Sequence, residues 1–393
     1  MNTQNTPVHI KLWNRDFWLM AIANMLLSVS VYVLVPTLPL WTIGSLGFGL
    51  METGVAMGLF GVGLYALGGF CSYLVQRFRR NVVCMWAIVG LAVSLVALLY
   101  LDGHRAGHFT LYLIILGRFL AGATYGLAQM VLSSTLIIDT SESFQRTEAN
   151  HSAAWFSRFA VALGPLAGLL LMQLFDFQTV AAVSVASALV AVLLIKFIDF
   201  PFRAPEDQLR VFSLDRFFLP NGCWLFFNLV LVTFVVGLIF TLPLPFTFYG
   251  IMMSGFLLAV LAQRFVFLNA ELKSEVISGL VLLGGAILLM LTRRQEAAMS
   301  YLPPLMIGFG VGIIGARFLL FFIKLSRHCQ RGTSQSMYML SWETGLAAGL
   351  FAGYALLFGQ PRRLLSVALL VVVVSFFVYN FFVHDWFVRH RNR

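Results

Sequence analysis

The sequence predicts an all-α membrane protein. Twelve transmembrane helices form two pseudo-symmetric six-helix halves around a central cavity. Three observations carry this expectation: the composition, twelve long apolar runs, and an internal repeat. The chain has 393 residues, of which 60% are hydrophobic and 11% charged, with a mean hydropathy of +0.89. A soluble globule of that length leaves too much surface facing water to hide so much apolar area.

Runs of about 20 apolar residues match helices that cross a hydrocarbon core roughly 30 Å thick. In order they lie near 17–43, 51–75, 81–101, 109–138, 152–174 and 178–199, then 217–243, 245–266, 272–292, 298–325, 335–358 and 361–388. The runs 17–43 and 109–138 are long enough to tilt or to overhang the bilayer. Pro and Gly inside the runs are tolerable, because neighbouring helices and waters re-satisfy the backbone.

The repeat is read from short matches that keep their order. "LVQRF" (74–78) returns as "LAQRF" (261–265), and "TLPL" (37–40) returns at 241–244. "FQRT" (144–147) and "LGPLAG" (163–168) fall on "CQRG" (329–332) and "AGLFAG" (348–353), both 185 residues later. Ordered matches at slowly changing offsets are the mark of a duplication. The expected division is a first half over 1–198, a cytoplasmic linker over 199–216, and a second half over 217–393. The linker is the one polar, Pro-containing stretch between the sixth and seventh runs.

The polar start "MNTQNTPVHIKLWNRDFW" has no cleavage site of the signal-peptide kind, so the first helix is expected to remain. The formal net charge is +10. With the N-terminus inside, eighteen Lys and Arg fall on inner segments and five on outer loops. That asymmetry places both termini in the cytoplasm, the inner membrane of a bacterium being the expected location. It also explains the positive charge without nucleic acid. Cys71, Cys84, Cys223 and Cys329 match no metal-ligand spacing, and no disulfide is expected. His9, His104, His108, His151, His328, His384 and His390 stand at edges or loops, where solvated side chains are expected. No cofactor motif, P-loop, nucleotide fingerprint or catalytic triad spacing is found.

"QRFRRN" (76–81) closes the second run and "QRF" (263–265) the eighth. This resembles motif A of the major facilitator superfamily: a Gly, then Asp-Arg, a Gly and two basic residues. Gln76 stands at the acidic position, Arg77 at the arginine, Arg80 at a basic position, and Arg79 where Gly is usual. Asp139 resembles the acidic partner between helices 4 and 5. "GRFLAGATYG" (117–126) resembles motif B, with Arg118 as its buried arginine. "ALGPLAGLLL" (162–171) resembles motif C of the drug:proton antiporter branch. The resemblance covers essentially the whole chain. It implies a secondary-active transporter working by alternating access, not an enzyme, and a monomer. Gln76, Arg77, Arg80, Asp139, Arg146, Arg264 and Arg331 are then the expected cytoplasmic gate, making charge-assisted bonds in one state and losing them in the other. Gly164, Pro165 and Gly168 would let the fifth helix pack closely or bend.

Ions inside a membrane are costly and usually face a cavity. Arg118, Arg158, Arg317 and Glu343 qualify as substrate or proton-coupling residues. Arg158 and Glu343 are 185 residues apart, so the repeat gives them equivalent places with opposite charge. Each stands about 10 Å in from the end of its run. Arg118 can alternatively brace the first helix through backbone carbonyls, as motif B arginines are thought to do. Glu343 is the only acid well inside a run, whereas Asp16, Glu52, Glu275 and Asp385 stand near edges that water reaches. If protons drive the carrier, Glu343 is the leading proton site. Three arginines against one glutamate suggest a net positive cavity for an anionic or zwitterionic substrate. Phe17, Trp18, Tyr32, Trp155, Tyr338 and Trp342 would suit an amphipathic molecule, or serve as ordinary core and lipid-facing aromatics. Three functions stay open: a proton-coupled exporter of an amphipathic or partly anionic compound, an uptake carrier for an organic anion or nutrient, and a transport-dead sensor or lipid-modifying enzyme. Motif C favours the first.

Overall fold

A computed structural model describes residues 12–101, 107–142, 144–200, 210–267, 271–292, 300–327 and 330–391. Twelve helices follow the twelve runs. They are α1 (Arg15–Gly44), α2 (Leu50–Arg77), α3 (Arg80–Leu101), α4 (His108–Asp139), α5 (Arg146–Leu174) and α6 (Phe177–Lys196). The second set is α7 (Pro220–Phe240), α8 (Phe246–Phe265), α9 (Leu272–Thr292), α10 (Leu302–Leu325), α11 (Arg331–Leu356) and α12 (Pro361–His390). Among the described residues, 11 are long and apolar enough to cross a membrane. The exception is α11, which carries Thr333, Ser334, Gln335, Ser336, Ser341 and Glu343 and buries all of them. Its polarity is affordable because protein, not lipid, surrounds it.

The halves repeat one packing scheme. In the first, α1 lies against α5 and α6, α4 against α2 and α3, and α3 against α6. In the second, α7 lies against α11 and α12, α10 against α8 and α9, and α9 against α12. Between halves, α2 packs on α11 and α5 on α8, two contacts that exchange when the halves exchange. Twelve alternating helices put the start of α1 and the end of α12 on one face, called here the terminal face. The Arg77 and Arg264 ends of α2 and α8 lie on that same face, as a parallel repeat requires. Residues 201–209 of the expected linker lie outside the described residues. Its 210–216 end is tied to α2 by the Ser213 amide, which donates to Gly69 O at 2.9 Å.

The "LGPLAG"/"AGLFAG" match has a packing cause. A Cβ at Gly164 would lie 2.5 Å from Tyr32 Cβ, and one at Gly168 2.3 Å from Val33 O, so α5 touches α1 backbone to backbone. Their repeat partners Gly349 and Gly353 do the same for α11 on α7, at 2.2 Å from Phe234 O and 2.4 Å from Thr241. Without a hydrophobic drive between helices in lipid, such close approach is how spans associate. Pro165 is accommodated within α5 without ending it. Gly349→Leu is therefore expected to destabilise the protein by at least about 1–3 kcal/mol. A lower thermal midpoint in detergent, measured beside an exposed control, checks it.

Three helices leave regular geometry near the middle of the bundle. The α1 segment breaks at Val33, three residues before Pro36, whose missing N–H removes one helical bond. A π-bulge spans Leu132–Leu136 of α4, and such bulges gather at functional sites. α2 is interrupted between Gly63 and Gly68, where Tyr65 and Thr344 of α11 join hydroxyls at 2.7 Å.

Candidate functional site

Four helices supply polar side chains to the middle of the bundle at helical spacing. α1 brings Asn24, Ser28 and Tyr32, and α4 brings Tyr125, Gln129 and Ser133, each set stepping by four along one face. α5 adds Ser157 and Arg158, and α11 adds Gln335, Tyr338, Trp342 and Glu343. Between them lies a cavity of about 30 Å³, room for roughly two waters in this conformation.

Glu343 is 4% exposed. Its Oε1 accepts from Tyr32 Oη at 2.8 Å and from Tyr125 Oη at 3.3 Å. The Tyr125 hydroxyl also reaches Ser28 Oγ at 3.5 Å, which takes Gln129 Nε2 at 3.1 Å and meets Ser157 Oγ at 2.9 Å. The acid of the second half is thus held by a hydroxyl network of the first.

Arg158 is 2% exposed. Its Nε donates to Tyr338 Oη at 3.0 Å, and its guanidinium lies 4.4 Å over the Trp155 ring. Nη1 and Nη2 are buried with no hydrogen-bond partner. Gly315 of α10 leaves the room, since a Cβ there would stand 3.3 Å from Arg158 Cδ and 2.8 Å from Trp342. A planar fork with two unused donors edges is the geometry that takes a carboxylate or phosphate.

The other expected residues divide. Arg118 lies outside the central cavity, in a smaller adjoining one that Glu343 also lines. It makes no hydrogen bond to α1 carbonyls among the described residues; it sits 4.7 Å over Phe60, with Nε and Nη1 unpartnered. Arg317 does not line the central cavity either, because it is bound to Glu275 of α9. Glu275 stands in the first turn of α9, an edge in sequence, yet it is 0% exposed because α10 covers it. The expectation of a net positive central cavity is therefore corrected: its walls carry one arginine and one glutamate. Trp155, Tyr338, Trp342 and Tyr32 are at the site, whereas Trp18 is 45% exposed and Phe17 is buried away from it. His151 is half-buried, edge-on to Trp155, rather than solvated. Among the described cysteines, Cys71, Cys84 and Cys223 are free, and Cys329 lies outside the described residues.

On the terminal face, Arg80 pairs with Asp139. Arg146 and Arg331 line the same cavity as that pair, while Gln76, Arg77 and Arg264 stand at helix ends outside it. Asp139→Asn is expected to shift the population toward the state open at this face, by about 1–3 kcal/mol for a lost charge-assisted bond. Labelling of a single cysteine on the Arg331 turn of α11 reads the shift, and an unchanged rate contradicts it.

The description Major Facilitator Superfamily matches residues 20–350. The chain belongs to the Major Facilitator Superfamily. It is therefore a multi-pass membrane transporter with a small-molecule substrate, not an enzyme. No curated protein sequence matches it. Solved structures are similar across nearly its full length. A bacterial homologue of the iron transporter ferroportin, in an outward-facing state, is 15% identical with a TM-score of 0.66, over 95% of this chain and 99% of that one. The human organic anion transporter MFSD10 (TETRAN) is 15% identical with a TM-score of 0.63, over 93% and 98%. The nucleoside transporter NupG is 13% identical with a TM-score of 0.66, over 93% and 99%. At these identities the likeness concerns the fold. Of the stretches that resemble superfamily motifs, QRFRRN contributes Arg80 to the pair with Asp139, and ALGPLAGLLL the glycines that seat α5 on α1. GRFLAGATYG contributes Tyr125, whose hydroxyl donates to Glu343.

Sequence reasoning passed over Asn24, Ser28, Tyr125, Gln129, Ser133 and Gln335. The available signal was polar residues recurring every fourth position inside apolar runs, which marks a helix face turned to a cavity.

Proposed function

We propose that this transporter is a proton-coupled secondary carrier of an amphipathic small molecule bearing an anionic group, moved by alternating access. Arg158 receives the anionic group, Tyr338 and Trp155 fix the guanidinium, and Trp342 supplies an apolar wall. Glu343 carries the coupled proton. The observation that carries this reading is the buried Arg158 fork, with Nη1 and Nη2 unpartnered at the cavity between the halves. A buried cation with no carboxylate in direct contact is costly, so its retention points to a partner that comes and goes. Similarity to a structure titled as an organic anion transporter fits the same substrate class. The motif C resemblance supports efflux, cytoplasm to outside, and the positive-inside count supports a cytoplasmic terminal face.

The test is counterflow in proteoliposomes with a panel of organic anions, zwitterions and cations, with and without a proton gradient. Anion-selective exchange that a gradient accelerates is the expected result. Exchange selective for cations, or indifferent to the gradient, would overturn the reading. Direction is read from inside-out vesicles.

A further inference from the structure

We propose that the cavity on the terminal face is a binding site for a phosphate-type oxyanion, held between the halves by Arg80, Arg146, Arg216 and Arg331, and that its occupancy keeps this face closed. The cavity holds about 240 Å³, ample room for a phosphate group. Four guanidinium groups line it against one carboxylate, Asp139, which is already bound to Arg80. Arg146 Nε and Arg216 Nε are buried without a partner, and Arg331 donates no side-chain hydrogen bond among the described residues. Gly332 opens α11 at the wall, so the positive end of that helix adds to the field.

Arg216 shows that the site is built. Its backbone is left-handed, φ 60, a conformation that side-chain-bearing residues seldom adopt. That twist lets its amide donate to Thr333 Oγ1 of α11 at 2.9 Å while its Nη1 donates to Thr135 Oγ1 of α4 at 2.8 Å. Burial first, then the neighbouring Arg80, lower the Arg216 pKa from the ordinary arginine value. An anion among these groups relieves both effects. Oxyanions with several equivalent oxygens suit several forked donors at once. Arg80 and Arg146 belong to one half, Arg331 to the other, and Arg216 to the segment between them. A bound oxyanion therefore ties the parts that must separate for this face to open. The site is separate from Arg158, and the proposal does not depend on the substrate class.

Calorimetry on the full-length protein in detergent tests it, with inorganic phosphate titrated against sodium chloride at matched ionic strength. Saturable phosphate binding is expected. The double variant Arg146→Gln, Arg331→Gln should weaken it by about tenfold or more, and the exposed control Arg363→Gln should leave it unchanged. A second arm uses phosphatidylcholine nanodiscs with and without phosphatidic acid. Binding of phosphatidic acid alone, lost in the double variant, assigns the same site to a lipid headgroup. Binding of neither probe, or binding indifferent to the double variant, overturns the proposal. Should the double variant fail to fold, the single variant Arg331→Gln takes its place, and a phosphate affinity equal to wild type then overturns the proposal.

Discussion

Glu343→Gln is expected to abolish proton-driven transport while leaving gradient-free exchange within about twofold of wild type. The amide keeps an acceptor oxygen for Tyr32 and Tyr125, so the hydroxyl network that positions the side chain survives. What it loses is the ability to change charge, and a permanently neutral group fixes one protonation state. The deciding measurement sets proton-driven flux beside counterflow in the same proteoliposomes. Full proton-driven flux in the variant would make Glu343 a structural acid. Coupling would then pass to Asp139 or to an edge carboxylate such as Glu52 or Asp16.

Arg158→Ala is expected to act on binding rather than on coupling. Two unpartnered guanidinium nitrogens face the cavity, and a hydrogen bond to a charged group contributes about 1.5–3 kcal/mol. Losing one or two such bonds weakens the substrate by tenfold to several hundredfold or more. Lysine at 158 restores the charge but not the fork, so it should recover only part of the affinity. The readout is the apparent substrate affinity in counterflow, with the thermal midpoint measured in parallel. A purely structural arginine predicts a lower midpoint. A binding arginine held without a counter-charge predicts a midpoint unchanged or raised, since removal relieves a desolvated cation. Unchanged affinity with a fallen midpoint would retire Arg158 as the binding residue.

Both variants were motivated by the repeat offset, and the structure gives that offset a physical basis. Gly164 and Gly168 repeat as Gly349 and Gly353 because α5 must reach α1, and α11 must reach α7, at backbone distance. That register carries Arg158 and Glu343 along with it. Depth within a run misplaced Arg317 and Glu275. One was assigned to the cavity and the other to water, but the two pair with each other on adjacent helices. Depth along a helix can be counted from sequence; azimuth around a bundle of twelve cannot. α11 shows the complementary failure of hydropathy. It lacks the apolar character of a lipid-facing span because its neighbours are α2, α7 and α10. Only packing reveals that environment.

The sequence by itself determined the all-α class, the twelve spans and the two six-helix halves. These follow from periodicities and offsets that local chemistry writes along the chain: apolar length for a bilayer, glycine spacing for close approach, and charge placed where lipid would exclude it. The tertiary structure alone decided which charges share a cavity, that Tyr32 and Tyr125 hold Glu343, that Arg317 is taken by Glu275, and that Arg216 joins three arginines at the terminal face. Those outcomes depend on the rotation of each helix about its own axis and on contacts between residues 42 to 311 positions apart. Side-chain spacing within one helix fixes neither.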